Sequence, residues 1–246
     1  MSSPRRHFLR HLALSGVALS ALPARATADP SHTAPASDDT AWSEFSAECV
    51  TALGADDALA AQPPATAFDA TWADKLTAKY RAVFDVPEIG EGVGVWRAGL
   101  WLNHYQEVLK ATPADLNSVI VIRHAGIPLL MNHDFWETYG VGKSLPRALQ
   151  GMQKARKNPV LGTEGDTSRF AALTLPKQME RGVIVLGCNM AFAQMVNLVA
   201  KADKLPAPEA RKKALSMMIP GVILQPNGIF GVTLAQHHGC AYVMAT

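Results

Sequence analysis

The stretch Arg181-Gly182-Val183-Ile184-Val185-Leu186-Gly187-Cys188-Asn189 decides the fold. A short apolar run rich in β-branched residues and closed by glycine on both sides reads as a strand buried on both faces, hence a member of a parallel sheet. Past Cys188, the residues Met190, Ala191, Phe192, Met195, Val196 and Val199 recur at helical spacing to about Lys201. A thiol is therefore presented where a strand becomes a helix. In open α/β sheets that edge holds the ligand crevice, and a helix N-terminus favours the thiolate. Equally, free cysteine is among the most buried residue types and often only fills space.

The same alternation extends on both sides of this stretch. Strands are expected at 80–86, 119–122, 182–186, 221–225 and 240–244, and helices at 93–110, 134–139, from 189 and at 228–238. On the first helix Ala98, Trp101, Leu102, Tyr105 and Leu109 make one apolar face. Strands alternating with helices predict a flavodoxin-like three-layer α/β fold with a mostly parallel five-stranded sheet. Every strand of a parallel sheet delivers its last residue to one edge, so Asp85, His124, Cys188 and Asn227 are expected to converge there. His124 is placed to draw the thiol proton as a base, or else is a histidine satisfied by backbone. Asn132, Asn189 and Asn227 are candidate polar wall residues, with Asp85, for a bound ligand. Cys240 begins a strand whereas Cys188 ends one, so the two thiols should lie at opposite sheet edges, too far apart for a disulfide.

At the start of the chain, Pro4-Arg5-Arg6-His7-Phe8-Leu9-Arg10 leads into a mildly apolar run and then Ala26-Thr27-Ala28. This pattern predicts a twin-arginine export signal over 1–28 and a periplasmic protein. Its apolar part is shorter than the roughly 20 residues a bilayer span needs. The signal holds four arginines and no acid, so its removal takes the formal net charge from +2 to −2. No nucleic-acid partner and no stable membrane span of the mature chain are implied. Residues 29–78 read as a Pro- and Ala-rich tether followed by an amphipathic helix at 42–61, bearing Trp42, Phe45, Cys49 and Leu53. Hydrophobic residues make up 48% of the chain, enough for 79–246 to form one well-buried domain with a long insertion at 143–177.

Cofactor signals are weak. The glycines of Glu88-Ile89-Gly90-Glu91-Gly92 are accompanied by glutamates that would repel a phosphate. His237 and His238 are adjacent and point to different helix faces, which leaves His124 and His133 as the pair for a haem or metal alternative. No cofactor or metal is expected on the leading reading.

Three segments resemble the DsrE/DsrF-like family of sulfur metabolism. They are Val119-Ile120-Val121-Ile122-Arg123-His124-Ala125-Gly126, the 181–188 stretch, and Pro220-Gly221-Val222 leading to Gly239-Cys240-Ala241-Tyr242-Val243. The resemblance implies a persulfide carried on Cys188, a small sulfur species or sulfur-carrier protein as partner, and a homo-oligomer, trimeric or hexameric. The alternative class is a non-catalytic protein that binds a small ligand, or assembles, through the same crevice.

Overall fold

The structure is a computed structural model that describes residues 63–64, 67–144, 154–163, 165, 167–168 and 170–246. The expected signal, tether and 42–61 helix lie outside the described residues, as does Cys49.

Five strands form one sheet: β1 (Tyr80–Val86), β2 (Leu116–Ile122), β3 (Ile184–Cys188), β4 (Ile223–Gln225) and β5 (Ala241–Met244). All neighbours run parallel, in the order 4-3-2-1-5. The helices between and beyond them are α1 (Val93–Leu109), α2 (His133–Thr138), α3 (Leu175–Glu180), α4 (Asn189–Asp203), α5 (Ala207–Ser216) and α6 (Gly228–His237). This is the flavodoxin-like layered α/β architecture. Its winding reverses between β1 and β5, whereas in flavodoxin itself the reversal falls between β1 and β3.

The right-handed crossover rule accounts for the layers. Three steps in one direction, β1 to β4, put their connecting helices on one face. There Phe84, Val86, Ile120, Ile122 and Val185 pack with Val95, Ala98 and Leu102 of α1, Phe192, Val196 and Val199 of α4, and Ala210 and Ala214 of α5. The single return step from β4 to β5 carries α6 across the opposite face. Here Val83, Val119, Val121 and Leu186 meet Val232 and Ala235, with Trp72 and Leu76 of the preceding turn beside them. Residues 83, 85, 119, 121 and 123 thus share the α6 side of the sheet by the period of two.

Several elements differ from expectation. The third strand spans Ile184–Cys188 where 182–186 is expected, so it starts and ends two residues later, with Cys188 at its carboxyl end as the edge argument requires. Helices α3 and α5 are additional, and Leu109 is 52% exposed at the end of α1, outside the apolar face proposed for it. In the long connection after α2, Asn158 is buried and its amide nitrogen donates to Leu129 O at 2.8 Å and Met131 O at 2.6 Å, while Val160 joins the helical layer. This part of 143–177 is a wall of the core. At Gly187 a Cβ would stand 2.6 Å from Leu130 Cδ1 and 2.8 Å from Leu224 Cδ2, so a larger residue there requires those leucines to shift.

Candidate functional site

The carboxyl edge of the sheet gathers a polar cluster on the α6 side. Asp85, the penultimate residue of β1, is buried, and its carboxylate accepts two hydrogen bonds from one guanidinium: Arg123 Nε to Oδ1 at 2.7 Å and Nη2 to Oδ2 at 2.9 Å. Tyr242 of β5 adds a third, its hydroxyl donating to Oδ2 at 2.9 Å. Bidentate pairing of this kind fixes direction as well as charge. The register brings these residues together: Asp85 pairs with Val121 on one side and Met244 on the other, so Arg123, two positions after Val121, and Tyr242, two positions before Met244, lie on the same face as Asp85.

Arg123 follows the last residue of β2, and Ile122 stands opposite Gly187. One step further on, Arg123 and Cys188 follow at the same edge, Arg123 on the α6 side and Cys188 packed into the α4 layer. The Asp85 hydrogen bonds hold the guanidinium above its ordinary pKa, with smaller upward contributions from Tyr242 and from Cys188. Tyr242 is shifted upward as well, first by burial and then by its bond to Asp85, so it keeps the proton that it donates. The stem of Arg123 lies against the first residue of α6. A Cβ on Gly228 would meet Arg123 Cβ at 2.5 Å and Cδ at 2.6 Å, so only glycine lets the arginine pass this helix end.

Cys188 is 7% exposed and caps α4, its Sγ accepting from the Ala191 N–H at 3.4 Å. A backbone donor at a helix N-terminus is thus aimed at the sulfur. Next to it in the ladder stands Gln225, fully buried, whose amide nitrogen is bound to Asp69 O at 2.7 Å.

The residues singled out from the sequence divide into two groups. Asp85, Cys188 and Asn227 do occupy the carboxyl edge, and so does His124. That histidine directly follows Arg123, is exposed, and has a left-handed backbone with φ of 49°, a conformation that costs a non-glycine residue on the order of 1 kcal/mol and clusters at functional sites. The asparagines have structural commitments. Asn227 caps α6 by accepting from Phe230 N at 2.8 Å, and Asn132 caps α2 by accepting from Phe135 N at 2.8 Å. Asn189 is buried, with its Oδ1 accepting from Arg211 Nη2 of α5 at 2.6 Å.

His133 is likewise engaged at both ring nitrogens. Nδ1 accepts from Asn158 N at 3.1 Å, which requires the proton to sit on Nε2, and Nε2 donates to Gly162 O at 2.8 Å. The ring clasps the long connection and has no lone pair to offer a metal. Among the described residues no group of three His, Cys, Asp or Glu side chains is placed to hold a metal ion, and no helix is long and apolar enough to cross a membrane.

Arg123 and Tyr242 were not singled out from the sequence. The available signal for Arg123 was its place in the alternation, two positions after Val121 and directly after an apolar strand. Tyr242 carried no comparable signal, because its strand is short and at the sheet edge.

At that opposite edge, Cys240 stands one residue before β5, which begins at Ala241 where a start at Cys240 is expected. Both Cys188 and Cys240 are free thiols. Burial pushes the Cys240 thiol up, partly offset by the Arg81 guanidinium. Comparison with protein-family models, with curated proteins and with solved structures finds no match to this chain.

Proposed function

We propose that this chain is an exported, DsrE-like protein that carries or transfers sulfane sulfur on Cys188. The observation that carries the proposal is a free thiol at the carboxyl end of an interior parallel strand, with a helix N–H aimed at its sulfur and a clamped arginine at the same edge. The chemistry needs no redox partner. The Cys188 thiolate attacks the outer sulfur of a donor R–S–SH, an Sγ–S bond forms and the donor S–S bond breaks. The donor leaves as R–S⁻ with the bonding pair, and Cys188 is left as the persulfide Cys–S–SH. His124 is the group assigned to take the thiol proton beforehand, a role supported by its position next to Arg123 at the same edge.

Incubating the native protein with a small persulfide or thiosulfate and measuring intact mass should reveal a gain of one sulfur atom, lost in Cys188→Ser. No adduct, together with alkylation of Cys188 only after unfolding, would overturn the carrier role. That result would favour the second reading, a non-catalytic ligand-binding or assembly protein, for which the burial of Cys188 and its use as a helix cap speak.

Export through the twin-arginine pathway belongs to the same proposal, on the strength of Arg5-Arg6 and the Ala26-Thr27-Ala28 site. Replacing both arginines by lysine should retain precursor in the cytoplasm, and normal periplasmic recovery would refute it. A homo-oligomer is proposed as well. It is supported by the apolar side chains exposed beside the edge, Ile229 and Phe230 on α6 with Tyr242 and Met244 on β5, and is checked by native mass.

A further inference from the structure

We infer that Arg123, clamped by Asp85 and Tyr242, makes the Cys188 site select anionic reaction partners. The inference rests on Cys188 being the reactive thiol and adds the charge class of what it reacts with.

The clamp uses part of the guanidinium only. Asp85 takes Nε and Nη2, while Nη1 has no protein partner among the described residues. An arginine carries five N–H donors, so the Nη1 pair is left to bind an acceptor from outside. The side chain of Arg123 is 29% exposed where that of Asp85 is 4% exposed, so a solute meets the cationic member of the pair and not the carboxylate. Its stem runs across Gly228, the first residue of the ten-residue helix α6, whose N-terminal peptide dipoles add positive potential on the same side. Cys188, one residue beyond the pairing of Ile122 with Gly187, stands at the same edge with its side chain packed toward the α4 layer, and its charge still acts on the guanidinium.

The acidic group in contact with the guanidinium is Asp85, and it offsets much of the cation's far field. The donors stay in place regardless, because the bidentate geometry and the Tyr242 hydroxyl hold the guanidinium plane in one orientation. The result is a short-range selector for a compact anionic group, such as the negatively charged end of a sulfane-sulfur donor, and weak long-range attraction. A neutral donor of the same size gains nothing from Nη1.

Paired alkylating reagents read this directly. Iodoacetate and iodoacetamide differ in charge and little in size, and mass spectrometry of the Cys188 peptide follows each on the full chain. The ratio of their rates, divided by the same ratio for mercaptoethanol, should be about fivefold in favour of iodoacetate, the upper range for a partly exposed ion pair. Raising the salt to about 1 M should bring the wild-type ratio down toward that of the free thiol. Arg123→Gln should abolish the preference and Arg123→Lys should keep part of it. If native Cys188 reacts with both reagents at a ratio equal to that of mercaptoethanol, or if the preference survives in Arg123→Gln, the selector is refuted while the thiol chemistry stands. If neither reagent labels native Cys188, the sulfur-carrier reading fails and the inference fails with it. The salt series on the wild-type protein decides the matter even if the arginine variants do not fold.

Discussion

Breaking the Asp85–Arg123 pair from either side should cost different amounts, and the difference follows from exposure. In Arg123→Met the carboxylate of Asp85 stays behind, 4% exposed, with only the Tyr242 hydroxyl to stabilise it. Removing one partner of a buried pair strands the other charge, and discounting for the partial exposure of Arg123 gives a loss of about 2–3 kcal/mol. In Asp85→Asn the stranded group is the guanidinium, 29% exposed and able to turn to water. One neutral acceptor also remains, so the expected loss is about 1–1.5 kcal/mol. The double variant no longer contains either charge and should lose about 1–2 kcal/mol less than the sum of the single variants. Urea unfolding followed by the fluorescence of the buried Trp72 and Trp136 would measure the cycle, as midpoint shifts at constant slope. In a domain of this size each kcal/mol also moves Tm by about 2–4 °C. Two results would refute the reasoning: Asp85→Asn as damaging as Arg123→Met, or losses that simply add in the double variant.

Other outcomes follow from packing and from burial. Gly228→Ala puts a Cβ within 2.6 Å of the Arg123 stem. Overpacking of this kind should cost about 1–3 kcal/mol, whereas Gly228→Ala in an Arg123→Gly background, which removes the Cβ as well as the stem, should cost clearly less, a comparison made by the same urea curves. Asn158→Ala strands the buried carbonyls of Leu129 and Met131 and should cost about 2–3 kcal/mol. Limited proteolysis should then cut within 143–177 faster than in the wild type, and an unchanged rate would contradict the anchoring role. Cys240 has a thiol shifted up by burial, so its contribution to stability is fully present below the ordinary thiol range. It is lost as pH rises from that range through the folded value, because the unfolded chain releases the proton first. Stability curves for wild type and Cys240→Ala should accordingly converge as pH rises above about 8.5, and parallel curves would show that the shift is absent.

Much of the architecture follows from local periodicity. Apolar runs such as 119–122 and 182–186 can be buried on both faces only in a parallel sheet between helical layers, and the helical repeats after them supply those layers. The opposite placement of Cys188 and Cys240 follows from chain direction alone. Helix α5 escaped because its buried positions, Ala210 and Ala214, are small and alternate with charged residues, so burial there depends on α4 lying alongside. The asparagines at 132, 189 and 227 look alike in sequence as polar residues beside apolar runs, but a cap bond or an arginine partner claims each oxygen once the backbone is in place.

The cluster itself belongs to the tertiary level. Strand composition is enough to place Asp85 at the end of β1. The choice of Arg123, 38 residues away, and Tyr242, 157 residues away, as its partners comes from the strand order 4-3-2-1-5 and from the glycine that lets the arginine pass α6. Hydrophobic patterning reports which face of an element is buried, since burial depends on each residue's own chemistry. Which charges meet depends on the order in which strands are laid side by side, and no local repeat encodes that order.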